Sequence, residues 1–233
     1  MKRRLKLILA AVISLNLFVV QNTVFAHEMP ETHEIKDFPV ISQLPELPTG
    51  DGVTAVTMVL DYYGFSADKQ ELASEYLPCV TNADVHLKED GKLYGNDMNK
   101  FFIGNPFSKN SVDCGTSAIV TTVKNYFYSI ESQRTVTDDT GISFRDLYYI
   151  VSKNIPVIIW GTENMENRGN IQGWYTEDGQ YVSWSKNDKI SVLTGYTLDS
   201  VTIIDTVNGR MEYSKDKFET AFTSRGNQCV IIQ

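Results

Sequence analysis

The stretch Ile41-Ser42-Gln43-Leu44-Pro45-Glu46-Leu47-Pro48-Thr49-Gly50-Asp51-Gly52 runs directly into Val53-Thr54-Ala55-Val56-Thr57-Met58-Val59-Leu60-Asp61-Tyr62-Tyr63-Gly64. Two prolines and Gly-Asp-Gly make the first half turn-forming. The second half is apolar almost all round, which predicts a buried helix over 53–63 with Gly64 at its C-terminal cap. The segment thus delivers Asp51 to a helix N-terminus, where unpaired N–H groups favour negative charge. Enzymes use such a place to ionise a thiol, but here it holds a carboxylic acid. Asp is among the best N-cap residues, worth about 1 kcal/mol. As a catalytic acid or base, Asp51 needs a second titratable group nearby with a displaced pKa.

Working outward, Asp68 followed by Glu71 resembles a capping box for a second helix reaching about Leu77. Residues 80–113 are rich in Asn, Asp and Gly and read as loop. Apolar spacing predicts helices from Thr116 to Ser129 and from Ser143 to Lys153. Strand signatures follow at 155–160, 181–184, 190–193, 201–204 and 229–232, with Phe38-Pro39-Val40-Ile41 as a further short extended segment. Ser214 reads as the cap of a short helix carrying Phe218 and Phe222. Helices first and strands second indicate an α+β domain, its helical half packed on a largely antiparallel sheet.

The first residues read as an export signal. Lys2, Arg3, Arg4 and Lys6 precede an apolar stretch from Leu7 to Val20, and Val24-Phe25-Ala26 supplies a cleavage site. The organisation expected is a signal peptide over 1–26, a mobile lead-in over 27–35 and one domain over 36–233. Four of the 21 Lys+Arg and none of the 29 Asp+Glu lie in 1–26, so cleavage leaves 17 against 29, a net charge of −12. That excess disfavours nucleic acid and anionic membrane surfaces as partners. Localisation outside the cytoplasmic membrane, with no stable insertion after cleavage, is the expectation.

Cys79, Cys114 and Cys229 allow at most one internal disulfide. None sits in a CxxC pair or beside a His, so neither a metal site nor a cofactor is expected. Cys114, in Asp113-Cys114-Gly115-Thr116, also precedes a helix; it reads as a displaced nucleophile or, more simply, as a buried structural thiol. Cys229 reads as core. Trp160, Trp174, Tyr175, Tyr181 and Trp184 read either as groove-lining aromatics or as core. Residues 163–180 read as a long loop over a cleft.

Seven pieces occur in order along the chain. They are Gln43-Leu44-Pro45-Glu46-Leu47-Pro48-Thr49-Gly50, Met58-Val59-Leu60-Asp61-Tyr62-Tyr63-Gly64, Phe102-Ile103-Gly104-Asn105-Pro106, Pro156-Val157-Ile158-Ile159-Trp160-Gly161-Thr162, Val192-Leu193-Thr194-Gly195-Tyr196, Asp205 and Lys217-Phe218-Glu219. Together they resemble the bacteriocin-processing cysteine peptidase-like family, which has a papain-like fold. The resemblance implies a nucleophilic Cys after Thr-Gly, a His base at the start of the strand ending in Gly-Tyr, an Asp or Asn orienting it, and an upstream Gln holding the oxyanion.

Carried over position by position, Gln43 and Asp205 are present, while Asp51 stands at the nucleophile position and Lys189 at the base position. Gly52 stands where Glu is usual. A thiolate and an imidazolium carry the same signs as Asp51 and Lys189, so an ion pair across the former cleft is expected, with the Asp51 carboxylate also accepting helix N–H bonds. The other reading of Lys189 is an edge-strand lysine that discourages sheet pairing. The resemblance thus implies an exported pseudopeptidase whose cleft takes a peptide or a cell-wall-associated protein. The alternative is a hydrolase working unconventionally through Asp51, Asp205 or Cys114.

Overall fold

The computed structural model describes residues 29–233, so the leader read over 1–26 lies outside the described residues. Helix α1 (Asp51–Tyr62) is buried from Asp51 through Leu60 and lies at the centre of the core. A helix enclosed on all sides must satisfy its polar side chains internally. Thr54 and Thr57 do so by donating their hydroxyls to the carbonyls of Gly50 and Val53, at 2.7 and 2.8 Å. Gly52 marks the tightest packing, since a Cβ there would meet Ile119 Cδ1 at 2.9 Å and Ile190 Cδ1 at 3.1 Å. A Glu at this position has no room.

The helix begins at Asp51, two residues earlier than expected, and Gly50 is the capping residue. No side chain caps it. Asp68 does cap α2 (Lys69–Glu71), accepting from the N–H groups of Gln70 and Glu71, before the chain widens into a π-turn over Leu72–Tyr76. Helices α3 (Thr116–Ser129), α4 (Phe144–Ser152) and α5 (Lys215–Ser224) lie where apolar spacing put them. Ser143 and Ser214 cap the last two through their side chains.

The main sheet has seven strands. Six run in the order β12 (Gly209–Ser214), β11 (Ser200–Asp205), β10 (Asp188–Tyr196), β7 (Val157–Thr162), β13 (Cys229–Ile232), β6 (Val136–Asp138), every pair antiparallel. The seventh, β1 (His33–Glu34), pairs with the far end of β10. The folded part therefore includes residues 33–35, because Ile35 N–H also bonds Thr194 O at 2.8 Å and its side chain is buried. Residues 38–41 form no strand; β1 takes that edge of β10, and Pro39 has no N–H for a ladder. The helices pack their apolar faces on this sheet around one continuous core.

Residues 80–113 and 163–180 correct the loop readings. They contribute β3 (His86–Leu87), β4 (Leu93–Tyr94) and β8 (Ile171–Tyr175), which with β9 (Tyr181–Ser185) form a four-stranded sheet of their own. A two-stranded parallel pair, β2 (Cys79–Val80) with β5 (Phe102–Ile103), connects this layer to the body. A small cluster of Met98, Ile103 and Trp174 fills it. Among the described residues, no helix is long and apolar enough to cross a membrane.

Candidate active site

The N-terminus of α1 meets the start of β10 and the end of β11 at the mouth of a cleft of about 590 Å³. Strand β11 ends at Asp205, opposite Ser191, so the N–H of Ile190 has no strand carbonyl on that side. The Asp51 carboxylate takes it at 2.9 Å and accepts the Gly52 N–H at 3.0 Å with its other oxygen. Asp51 is 8% exposed. Its side chain thus ties the helix to the sheet, and its two bonds go to neither of the N–H groups that an N-cap would satisfy. Burial pushes its carboxyl up; the Lys189 charge and the two N–H bonds oppose that, and Asp205 adds to the rise.

Lys189 points into the cleft from β10. That strand is interior, paired with β7 on one side and β11 on the other, so the edge-lysine reading is overturned. Its ammonium lies 4.0 Å from Asp51 Oδ2, at the limit of an ion pair, and donates at 2.9 Å to Gln43 Oε1. Gln43 also accepts the Thr206 hydroxyl at 2.5 Å, and its NH₂ donates to the carbonyls of Leu47 and Pro48 at 3.1 and 2.9 Å. Every hydrogen-bonding position of the amide is therefore engaged. Its donors face its own loop and its carbonyl faces the lysine, so Gln43 offers no N–H to an oxyanion.

Asp205 lines the same cleft, but it spends Oδ1 on the N–H groups of Val207 and Asn208, at 2.8 and 2.7 Å. It closes the turn between β11 and β12 and makes no hydrogen bond to Lys189. Cys114 is 1% exposed, and burial, then Asp113 and Asp51, raise its thiol well above the ordinary range. A buried thiol with no tendency to ionise is the structural reading of this residue. No cysteine or histidine lines the cleft among the described residues. His33 bonds Asn154, and His86 lies near Glu177 in the four-stranded sheet. The three cysteines are free.

A model of the Peptidase_C39 like family matches residues 35–230. The chain belongs to this family. Its fold is also that of a Bacillus anthracis protein provisionally described as a C39-like peptidase, whose crystal structure superposes with a TM-score of 0.75. That match is 28% identical and covers 88% of this chain and 98% of the other. The uncharacterized protein YvpB of Bacillus subtilis strain 168 is 29% identical over 191 residues, covering 81% of this chain and 71% of YvpB. The papain-like α+β expectation is thereby met.

Two groups in this C39-like cleft were not singled out from the sequence. Asp188, beside Lys189, has a fully buried carboxylate held by Arg168 through Nε and Nη2, at 2.9 and 2.7 Å, and by Arg225 Nη1 at 2.8 Å. This trio fixes the start of β10 and hence the origin of the Lys189 side chain. Asp113, 4% exposed, lines the cleft and accepts the Cys114 N–H at 2.7 Å. Burial, and next the Asp51 charge, hold its carboxyl well above the usual range.

The aromatic reading needs correction. Trp160 is fully buried in β7 and donates its indole N–H to Cys114 O at 2.9 Å. Trp174 sits in the core of the four-stranded layer, donating to Asn96 O at 2.7 Å. Tyr175 packs between Tyr94 and Tyr181, with ring centroids 5.9 and 5.2 Å away. Of the five aromatics read as groove-lining candidates, only Trp184 lines this cleft.

Proposed function

We propose that this chain is an exported C39-like protein that binds peptide in the cleft and returns it unhydrolysed. The observation that supports the reading is the pairing in the cleft of the two residues that the family resemblance assigns to the reacting positions: the helix-end carboxylate of Asp51 and the ammonium of Lys189. A carboxylate held by two backbone N–H bonds is a weak nucleophile toward an amide. An ammonium bonded to an amide carbonyl is already protonated and does not serve as a base. The engaged Gln43 amide removes the third contribution, stabilisation of the oxyanion.

The cleft itself remains open, with Trp184 and the side chains of Asn110, Asn187 and Asn208 on its walls. Side-chain amides beside an indole suit the alternating polar and apolar character of a peptide backbone. The leader at Lys2 to Ala26 supports export, and the acidic excess supports a protein or peptide partner over nucleic acid. A second reading, hydrolysis through a carboxyl pair, is favoured only by Asp113 sharing the cleft with Asp51.

One experiment separates the two. A mixture of unstructured peptides is incubated with the protein, and bound and free fractions are identified by mass spectrometry. Retention of intact peptide is expected. Accumulation of cleaved products that Asp51→Asn abolishes overturns the binding reading in favour of the hydrolase.

A further inference from the structure

Asp188 answers two guanidinium groups with a single negative charge, so its trio with Arg168 and Arg225 carries an excess cation. Arg168 spends its Nε–Nη2 edge on both carboxylate oxygens and its Nη1 on the Ser183 hydroxyl. Arg225 is placed differently. It reaches Asp188 and the Ser183 carbonyl through Nη1 alone, at 2.8 and 3.3 Å. Its Nε is a buried atom with no hydrogen-bond partner among the described residues, and its Nη2 donates to none of them either. Burial lowers the pKa of this guanidinium; Asp188 opposes that, and Arg168 adds to it. Asp113 also acts on Arg225, but its hydrogen bond goes to the Cys114 N–H. A buried donor left unanswered is costly unless something satisfies it. Asp188 lines the cleft, whereas Arg168 and Arg225 line a second cavity of about 480 Å³, walled by Asp97–Lys100, by part of β9 and by the end of α5.

We propose that this second cavity is a carboxylate-binding site, with the Nε–Nη2 edge of Arg225 as its bidentate anchor. Two parallel N–H donors match the two oxygens of a carboxylate, and Arg168 already holds Asp188 by the same edge. The acids of the cavity do not take that role, because Asp97 and Asp178 both bind Lys100, at 3.0 and 3.1 Å. A carboxylate ligand supplies the counter-charge that the trio lacks. Gln180 and Gln228 line the same cavity and offer side-chain amides to the rest of a small ligand. Such a carboxylate comes from the carboxy terminus of a peptide or from an acidic side chain. The site lies outside the peptide cleft and stands independently of how the cleft is read.

The probes are N-acetylglycine, which ends like a peptide; Nα-acetyl-glutamate amide, whose only anion is its side chain; and the neutral N-acetylglycinamide. Each is titrated into the protein at constant ionic strength and pH 7. The backbone amide signals of Ser183 and Gly226, in the second cavity, and of Asn208, in the cleft, are followed by NMR. At least one carboxylate is expected to move Ser183 and Gly226 saturably and to bind at least about tenfold more tightly than the neutral amide. Arg225→Lys keeps the charge without the fork and is expected to lose that difference. The tighter of the two carboxylates assigns the source, and equal binding of both supports recognition of the carboxylate alone. Equal binding of acid and neutral amide overturns the proposal, as does no response at Ser183 and Gly226. Movement of Asn208 alone also overturns it, because the anion then sits with the lysines of the cleft. Inorganic phosphate binding as tightly as the carboxylates overturns it in favour of an unselective anion site. The comparison of acid with amide needs only the unaltered protein, so it decides even where the variant fails to fold.

Discussion

The Lys189 ammonium lies 2.9 Å from Gln43 Oε1 and 4.0 Å from the nearest oxygen of Asp51. The lysine thus serves two acceptors, and the hydrogen bond goes to the neutral one. That geometry follows from where Asp51 is spent: its oxygens already accept N–H groups of Gly52 and Ile190. The amide then turns its carbonyl to the cation, as an amide must when a group with donors only faces it.

Replacing the lysine should expose the cost of the carboxylate it faces. Lys189→Met is expected to destabilise the fold by about 1–3 kcal/mol at pH 7, the range for leaving a buried polar or charged group without its partner. Burial places the Asp51 carboxyl above its unfolded value. A raised carboxyl contributes stability fully below the ordinary carboxylate range, and that contribution is lost as pH rises through the folded value. The deficit of Lys189→Met should therefore shrink at pH 4. Urea unfolding at the two pH values checks this; an equal deficit at both contradicts it.

Asp113 gives the same sign without a partner to lose. Its carboxyl is raised first by burial and next by Asp51, so ionising it costs stability as pH climbs. Asp113→Asn removes the titrating group and should raise the melting temperature at pH 8 while changing it little at pH 4. Thermal unfolding followed by circular dichroism reads this directly. An unchanged pH profile would mean that Asp113 does not titrate differently in the folded chain.

The Asp188 trio predicts an asymmetry. Removing the carboxylate leaves two buried guanidinium groups facing each other, whereas removing one arginine leaves Asp188 with its bidentate partner. Asp188→Asn should cost about 3–5 kcal/mol. Arg225→Met should cost less, since Arg225 Nε is a buried atom without a hydrogen-bond partner among the described residues. Denaturant midpoints of the two variants test the order.

Thiol reactivity follows from burial alone. Cys79 is exposed, while Cys114 and Cys229 are buried, and burial pushes the Cys229 thiol up to about 12. Iodoacetamide at pH 8 should modify Cys79 in the native protein, and Cys114 and Cys229 only in urea. Peptide mapping distinguishes them. Native-state modification of Cys114 would show that the wall beside Asp113 opens.

Much of this was legible in the chain because local rules and tertiary packing agreed. The five helices and four strands of the main sheet (β7, β10, β11 and β13) follow from the residue pattern, and Asp68, Ser143 and Ser214 cap the helices that their positions suggested. The shorter or more polar β1, β6 and β12 carry no apolar run and were not expected. Asp51 and Lys189 were traceable because a helix start and a Gly-Tyr strand end fix their count. The four-stranded layer was missed because β3 and β4 are two residues each, with Gly and Asn between them. Trp160 was open to misreading because a buried indole and a groove indole look alike until the acceptor, here Cys114 O, is known. Asp113 had a signal, an acid before a helix, but its role depends on Asp51 being close, which only the fold supplies.

Asp51 and Lys189 are proposed to stand where the family resemblance sets a Cys and a His, and installing that pair tests the proposal most directly. The unaltered protein and the double variant Asp51→Cys with Lys189→His are assayed side by side on a fluorogenic peptide mixture. No turnover by the unaltered protein and measurable turnover by the double variant are predicted. Turnover by the unaltered protein would contradict it, because peptide hydrolysis would then proceed with neither a cysteine nor a histidine lining the cleft among the described residues.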